Sequence, residues 1–238
     1  VLSQLRRDAL DLLGKLQFRL CVGLPFRKHS PDRLPYRTIA LYEVTGERRW
    51  FKTAVDLGTA IDASLRAKGA GFLTEAATPG VPVPPMPDLA ENIGAVRFFN
   101  RLAHYSGNKV FRDAALHGMK FLAGHASRQE DLEEAGILLA DDELASDPVH
   151  LTIVGAKLDA AARALFDAAL KTPGGYRRVE WWDRTEGPLP HADVSYPELA
   201  KAAGYVCTAG RCSRPSFEAA DYATQITRLI AATQPAER

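Results

Sequence analysis

Apolar side chains recur at spacings of three and four through most of the first 145 residues, and the period changes to two beyond them. Leu2, Leu5, Ala9, Leu12, Leu13 and Leu16 form one such stripe, with charges on the other face, which predicts an amphipathic helix. Three prolines and a glycine between Gly23 and Pro35 stop it. Pro35 suits the first turn of the next helix, whose body is RTIALYEVTG. Past Gly46, the run WFKTAVDLGTAIDASLRA repeats Trp50, Ala54, Leu57 and Ile61 at helical spacing. A link this short leaves the two helices antiparallel.

The same unit returns downstream. VTGERRWFKTAV aligns with YSGNKVFRDAAL at an offset of 61, placing Thr45 on Ser106, Trp50 on Phe111, Ala54 on Ala115 and, further along, Ile61 on Leu122. The glycine ends one helix, the aromatic anchors the next, and the alanine permits close helix approach. A helical hairpin recurring about every 60 residues predicts a toroid or solenoid, because one hairpin cannot bury its own apolar face. Between the two copies TPGVPVPPMP carries five prolines, so it is expected to be extended. Asp88, Glu91 and Asn92 follow where a helix begins, a position that suits either capping of free backbone N–H groups or ligand binding.

Near Asp147-Pro148 the pattern shifts. HLTIVG and YRRVEWW read as strands around the Ala-rich helix DAAARALFDAALKT, which predicts a parallel strand pair. Only Gly155 follows the first strand and no phosphate-loop Gly-Lys-Ser/Thr occurs, so a dinucleotide or P-loop site is excluded. An irregular segment, DRTEGPLPHADVSYPEL, leads to a hairpin at AGYVCTAGRCSRPSF and a terminal helix near EAADYATQITRLIAAT. The expected class is α+β: an incomplete array of α/α hairpins, a partial toroid, over residues 1–146, then a small α/β domain with a cysteine hairpin over 147–238.

The succession YEVTGERRW, the proline-rich crossover, ENIGAVRFFNRLAHYSGNKVFRDAALHGMKFLA, HLTIVG, YRRVEWWD and YVCTAGRCSRP resembles the C-terminal part of the thioredoxin-domain-containing proteins of the spermatogenesis-associated type. The resemblance implies a helical toroid of the six-hairpin glycosidase-like class and a connection with sugars. Asn92 matches a Ser-Gly-Asn segment of that family, whose Ser-Gly is absent here. Cys207, Cys212 and Pro215 match its closing segment. Departing from it, this sequence has no C-x-x-C pair and no thioredoxin-like N-terminal domain, and its helical part is too short for six hairpins.

Composition narrows the partners. Thirty basic and 29 acidic side chains give a formal charge of +1, without the electrostatic footprint of a nucleic-acid binder. No apolar run reaches the roughly 20 residues of a membrane span. The chain begins at Val1, and the expectation is that it belongs to a larger protein or complex, with another protein chain, a second copy or a missing N-terminal portion, covering the open end of the array. Three cysteines leave the compartment open.

No complete catalytic motif stands in the 238 residues, and no cofactor is expected. The leading functional expectation is therefore a noncatalytic binding or assembly module. The alternative is a carbohydrate-active enzyme using Asp88, Glu91, Asp183 and Glu186 across an interdomain cleft, since glycosidic cleavage needs two carboxyl groups about 5 to 9 Å apart. Asn92, Trp181, Trp182 and His191 are the ligand-binding candidates, the tryptophans because aromatic faces stack on sugars. For Cys207 and Cys212, five positions apart across a short turn, a disulfide, a reduced packing pair and redox exchange are the alternatives, the disulfide being adopted. Zinc would want four ligands, and His104, His117 and His125 share no ligand spacing, so no metal is expected. Cys21 is expected to stay a lone thiol.

Overall fold

The computed structural model describes residues 33–76, 84–126, 135–173, 175–208 and 211–233. These residues belong to one compact unit, Asp32–Arg238. The stripe through Leu16, the break after it and Cys21 lie outside the described residues.

Seven α-helices and four strands make up the described fold. α1 (Arg33–Thr45) and α2 (Arg48–Leu65) form one hairpin, and α3 (Leu89–Ser106) and α4 (Lys109–Ala126) form the second. Their turns sit at the same 61-residue offset that the sequence shows, and they are chemically equivalent. The Thr45 hydroxyl donates to Leu41 O (2.6 Å) and accepts from Glu47 N (3.2 Å). The Ser106 hydroxyl donates to Leu102 O (2.6 Å) and accepts from Asn108 N (3.1 Å). Gly46 and Gly107 follow in the left-handed region, at φ 68° and 66°, and each returns its N–H to a carbonyl four residues back. Only glycine adopts this conformation without strain, so it ends both helices at the same point.

Each second helix buries an aromatic and small residues one turn apart: Trp50, Ala54 and Gly58 on α2, Phe111, Ala115 and Gly118 on α4. α3 is the hub, packing against α1, α4 and α5 (Ala135–Ala145). The C-terminal ends of α1 and α3 meet where the Tyr42 and Tyr105 rings lie edge to face, 5.4 Å apart. The long connection from α2 to α3 is anchored by Phe72, whose ring stacks on Phe99 at 5.0 Å.

Downstream come β1 (Val149–Val154), α6 (Ala160–Lys171), β2 (Arg177–Trp182), a 3-10 turn (Arg184–Glu186), β3 (Ala203–Thr208), β4 (Arg211–Cys212) and α7 (Ala219–Thr233). The sheet order is β2-β1-β3-β4. β1 and β2 are parallel as their flanking helix predicts, whereas β3 joins β1 antiparallel and makes the sheet mixed. On one face Leu151, Ile153, Val179 and Trp181 pack against Leu165 and Phe166 of α6 and Tyr222 and Ile226 of α7. Each fully buried side chain of this kind contributes about 1.5–3 kcal/mol, which makes this layer the main store of stability in the C-terminal half.

The opposite face carries His150, Thr152, Arg178 and Glu180, all buried. Residues 183–202 cross it and insert Leu189 and Tyr196 between Trp182 and Tyr205. α1 and α3 close the outer edge of β2, where Tyr105 Oη accepts from Val179 N (2.8 Å) and donates to Glu43 Oε1 (2.9 Å). A helix-borne hydroxyl thus replaces the missing neighbour strand. Among the described residues no helix is long and apolar enough to cross a membrane.

Candidate functional site

The four candidate carboxylates fall into two groups. Asp88 caps α3, accepting from Glu91 N (3.0 Å), and Glu91 lies in the first turn of that helix. Asp183 caps the 3-10 turn, accepting from Thr185 N (3.0 Å) and the Thr185 hydroxyl (2.7 Å), and also takes Lys157 N at 2.8 Å. The Thr185 hydroxyl above all, with these N–H groups, holds its carboxyl below the usual range against the opposing effect of burial. Glu186 pairs with Lys157 Nζ (2.5 Å) and Arg48 Nε (3.7 Å). Lys157 Nζ also donates to Gly46 O (2.7 Å), which ties Asp183 and Glu186 to the α1–α2 turn. That turn adjoins the C-terminal end of α3, whereas Asp88 and Glu91 stand at its N-terminus. The length of α3 separates the two groups by about 27 Å at 1.5 Å per residue, far beyond the spacing of a glycosidase pair.

Asn92 is fully buried and behaves like a piece of strand: its Oδ1 accepts from Phe72 N (2.7 Å) and its Nδ2 donates to Phe72 O (2.9 Å) and Asp88 O (2.7 Å). Trp181 is fully buried, donates to Gly155 O (2.9 Å), and lies under the Arg163 guanidinium. Trp182 is half-buried, donates to Gly187 O (2.9 Å) and stacks beneath Arg184. His191 Nδ1 donates to His104 O (2.9 Å). Two of these side chains occupy equivalent positions on the repeat. A Cβ on Gly46 would stand 3.0 Å from Trp181 Cβ, and one on Gly107 would stand 2.7 Å from the His191 ring, so each turn glycine is a socket for one side chain of the C-terminal half.

Cys207 and Cys212 are direct partners in the β3–β4 ladder, with their sulfurs at bonding distance. They are unequal: Cys207 is 3% exposed, whereas Cys212 lies on the exposed strand β4. Among the described residues no group of three or more His, Cys, Asp or Glu is arranged to hold a metal ion. A groove of about 980 Å³ runs between α6 and α7, lined by Ala164, Ala168, Ala220 and Ala223 with Lys171 and Arg228 at its rim, and includes none of the candidates above.

The densest polar cluster lies on the inner face of the sheet. Glu180, fully buried, accepts from Arg178 Nη2 (2.5 Å), His150 Nε2 (2.9 Å) and Tyr42 Oη (3.2 Å). Burial alone would push its carboxyl up, but the Arg178 guanidinium and the His150 N–H outweigh it and hold it below the usual carboxylate range. Arg178 also reaches Asp193 (2.9 Å) and His191 O (2.9 Å). Thr152 Oγ1 sits 2.9 Å from His150 Nε2 and 2.7 Å from Tyr196 Oη. Sequence reading misses this cluster because HLTIVG and YRRVEWW place His150, Thr152, Arg178 and Glu180 at alternate positions, which ordinarily mark a solvent face. The usable signal is their complementarity across the parallel register, His150 beside Arg178 and Thr152 beside Glu180.

His104, beside the cluster, has its Nε2 buried without a partner. Burial, reinforced by the positive charges of Arg112 and Arg178, lowers its pKa to about 4 even though Asp147 opposes the shift. Below its ordinary value near 6.5 the unfolded chain binds a proton that the folded chain refuses, so stability falls as pH drops toward 4. The loss is up to about 3 kcal/mol. Denaturant melts of His104→Leu should show a shallower decline than wild type across pH 6.5 to 4; parallel declines would show that the imidazole does not carry this acid sensitivity. Neither a family model nor a curated protein matches this chain.

Proposed function

We propose that this chain is a noncatalytic binding or assembly module, related to a sugar-active-like helical toroid, and that it associates with a second copy of itself through the open end of its hairpin array. The observation that carries this reading is α5. Ile137, Ala140 and Leu144 pack inward from it, yet Leu138 and Leu139 remain 58% and 43% exposed on its other side. Asp141 and Asp142 share that exposed side, so the apolar patch is confined to the two leucines, large side chains that a partner surface would cover. In a hairpin array each unit buries one face on its predecessor and one on its successor, and among the described residues α5 packs chiefly on its predecessor, α3 with α4. A formal charge of +1 opposes no self-association. The noncatalytic part of the reading rests on Asp88, Asp183 and Glu186, which act as caps and an ion-pair partner, and on the length of α3 that separates Asp88 and Glu91 from Asp183 and Glu186.

Sedimentation velocity of the purified chain across a hundredfold concentration range tests it. The expected result is a monomer–dimer equilibrium that Leu138→Glu with Leu139→Glu shifts to monomer. A wild-type chain that stays monomeric throughout, or a dimer indifferent to both substitutions, refutes the proposed interface.

A further inference from the structure

The inner-face cluster ends on sulfur. Tyr196 Oη lies 3.8 Å from Cys207 Sγ, within reach of a hydroxyl–sulfur hydrogen bond. From there the chain of contacts runs through Thr152 Oγ1 (2.7 Å) and His150 Nε2 (2.9 Å) to Glu180 Oε2 (2.9 Å).

The directions of these hydrogens follow from Glu180. An ionised carboxylate only accepts, so His150 Nε2 carries the proton it shares with Glu180. That N–H is given to Glu180 and Nε2 has no lone pair left to accept, so the Thr152 O–H turns to Tyr196. Tyr196 Oη is then occupied as an acceptor, and its O–H is left for Cys207 Sγ. Burial, more than any neighbouring charge, pushes the Tyr196 pKa up to about 12, so the phenol keeps that proton at neutral pH. The cluster therefore presents a fixed donor to one sulfur of the disulfide, the buried one. The other sulfur, on Cys212, stands on an exposed strand with a path for an incoming nucleophile.

We propose that the Cys207–Cys212 disulfide is a directional thiol-exchange site, at which a small thiol such as glutathione attacks Cys212 and Cys207 departs toward Tyr196. The glutathione thiolate forms a new S–S bond to Cys212 Sγ, the Cys207–Cys212 bond breaks, and its electron pair leaves on Cys207 Sγ. The departing thiolate accepts the Tyr196 O–H hydrogen bond and subsequently takes up a proton from water. A second glutathione resolves the mixed disulfide, leaving two cysteine thiols and releasing oxidised glutathione, so that two electrons pass from two thiols to the protein disulfide. A donor that stabilises the departing thiolate lowers its basicity and speeds its departure. Attack in the opposite sense would need access to a sulfur that is 3% exposed at the residue level and would expel a thiolate with no such donor.

The experiment uses the oxidised 238-residue chain with reduced glutathione, quenched in acid at early times and peptide-mapped, with the Cys21 peptide scored separately. Glutathione is expected on Cys212 and a free thiol on Cys207; glutathione on Cys207, or equally on both, overturns the proposal. This reading needs no variant. In addition, Tyr196→Phe should slow opening of the disulfide about tenfold through loss of the leaving-group donor. Tyr205→Phe, which removes a buried hydroxyl without a hydrogen-bond partner from the same cluster, should open at the wild-type rate. Equal rates for wild type and Tyr196→Phe would overturn the assigned role of the phenol.

Discussion

Glu180→Ala is expected to cost about 3–5 kcal/mol, because it leaves the Arg178 guanidinium buried beside an unfilled position with its closest counter-charge gone. Against a total stability of about 5–15 kcal/mol, that loss leaves a small domain marginal at ambient temperature. Urea unfolding at pH 7 reads it as a large fall in midpoint. The effect belongs to broken pairing and not to the loss of an intrinsically stabilising bond. Accordingly the double replacement Arg178→Met with Glu180→Leu should recover most of the loss, since a well-packed apolar pair of similar volume matches or exceeds a buried ion pair. A double variant as unstable as Glu180→Ala would show that His150, Tyr42 and Asp193 depend on the charges themselves. Glu180 also sets an acid limit. Its carboxyl is held below the usual range in the fold, so its contribution is complete above the unfolded value near 4.3 and disappears as pH falls through the folded value.

The second large effect is expected at Gly107. An alanine there suffers twice: the left-handed backbone costs about 1–2 kcal/mol for a residue with a Cβ, and that Cβ would stand 2.7 Å from the His191 ring. Overpacking of this kind costs a further 1–3 kcal/mol or so. The two contributions separate experimentally. Combining Gly107→Ala with His191→Ala removes the clash and keeps the strained backbone, so the penalty of the glycine substitution, measured within the His191→Ala background, should fall to the backbone share alone. An undiminished penalty in that background would mean that His191 yields freely and that the backbone carries the whole cost.

Much of the helical half was legible before any coordinates. The repeat of Thr or Ser, glycine, aromatic and alanine marks both hairpins, and the helix boundaries of α2 and α4 fall at its 61-residue offset, because a side-chain hydroxyl and a glycine at a helix end act within four residues. The parallel pair around α6 and the cysteine hairpin are local in the same sense. What escaped was long-range. Nothing near Trp181 says that it seals a turn 135 positions earlier, and nothing near Glu180 says that Tyr42 will reach across from α1. An alternating strand is the same string of residues whether its polar face meets water or another layer. The deciding fact is what covers it, here residues 183–202 and α1, which have no regular pattern pointing back to the sheet.

The two glycine sockets have a consequence for how this chain can vary. The sheet and the segment crossing it grip the hairpins toward the turn end, through Trp181 on Gly46, His191 on Gly107 and the Tyr42 and Tyr105 hydroxyls. The connection from α2 to α3 leaves at the far end, about 27 Å away along an 18-residue helix. Extra residues spliced into that connection would lengthen a loop without disturbing these grips, and loop-closure entropy rises by only about 0.6 kcal/mol for each doubling of length. A single residue inserted between Thr45 and Arg48 would instead displace a socket from its plug. The ancestry of such proteins should therefore record growth at one end of the hairpins and constancy at the other.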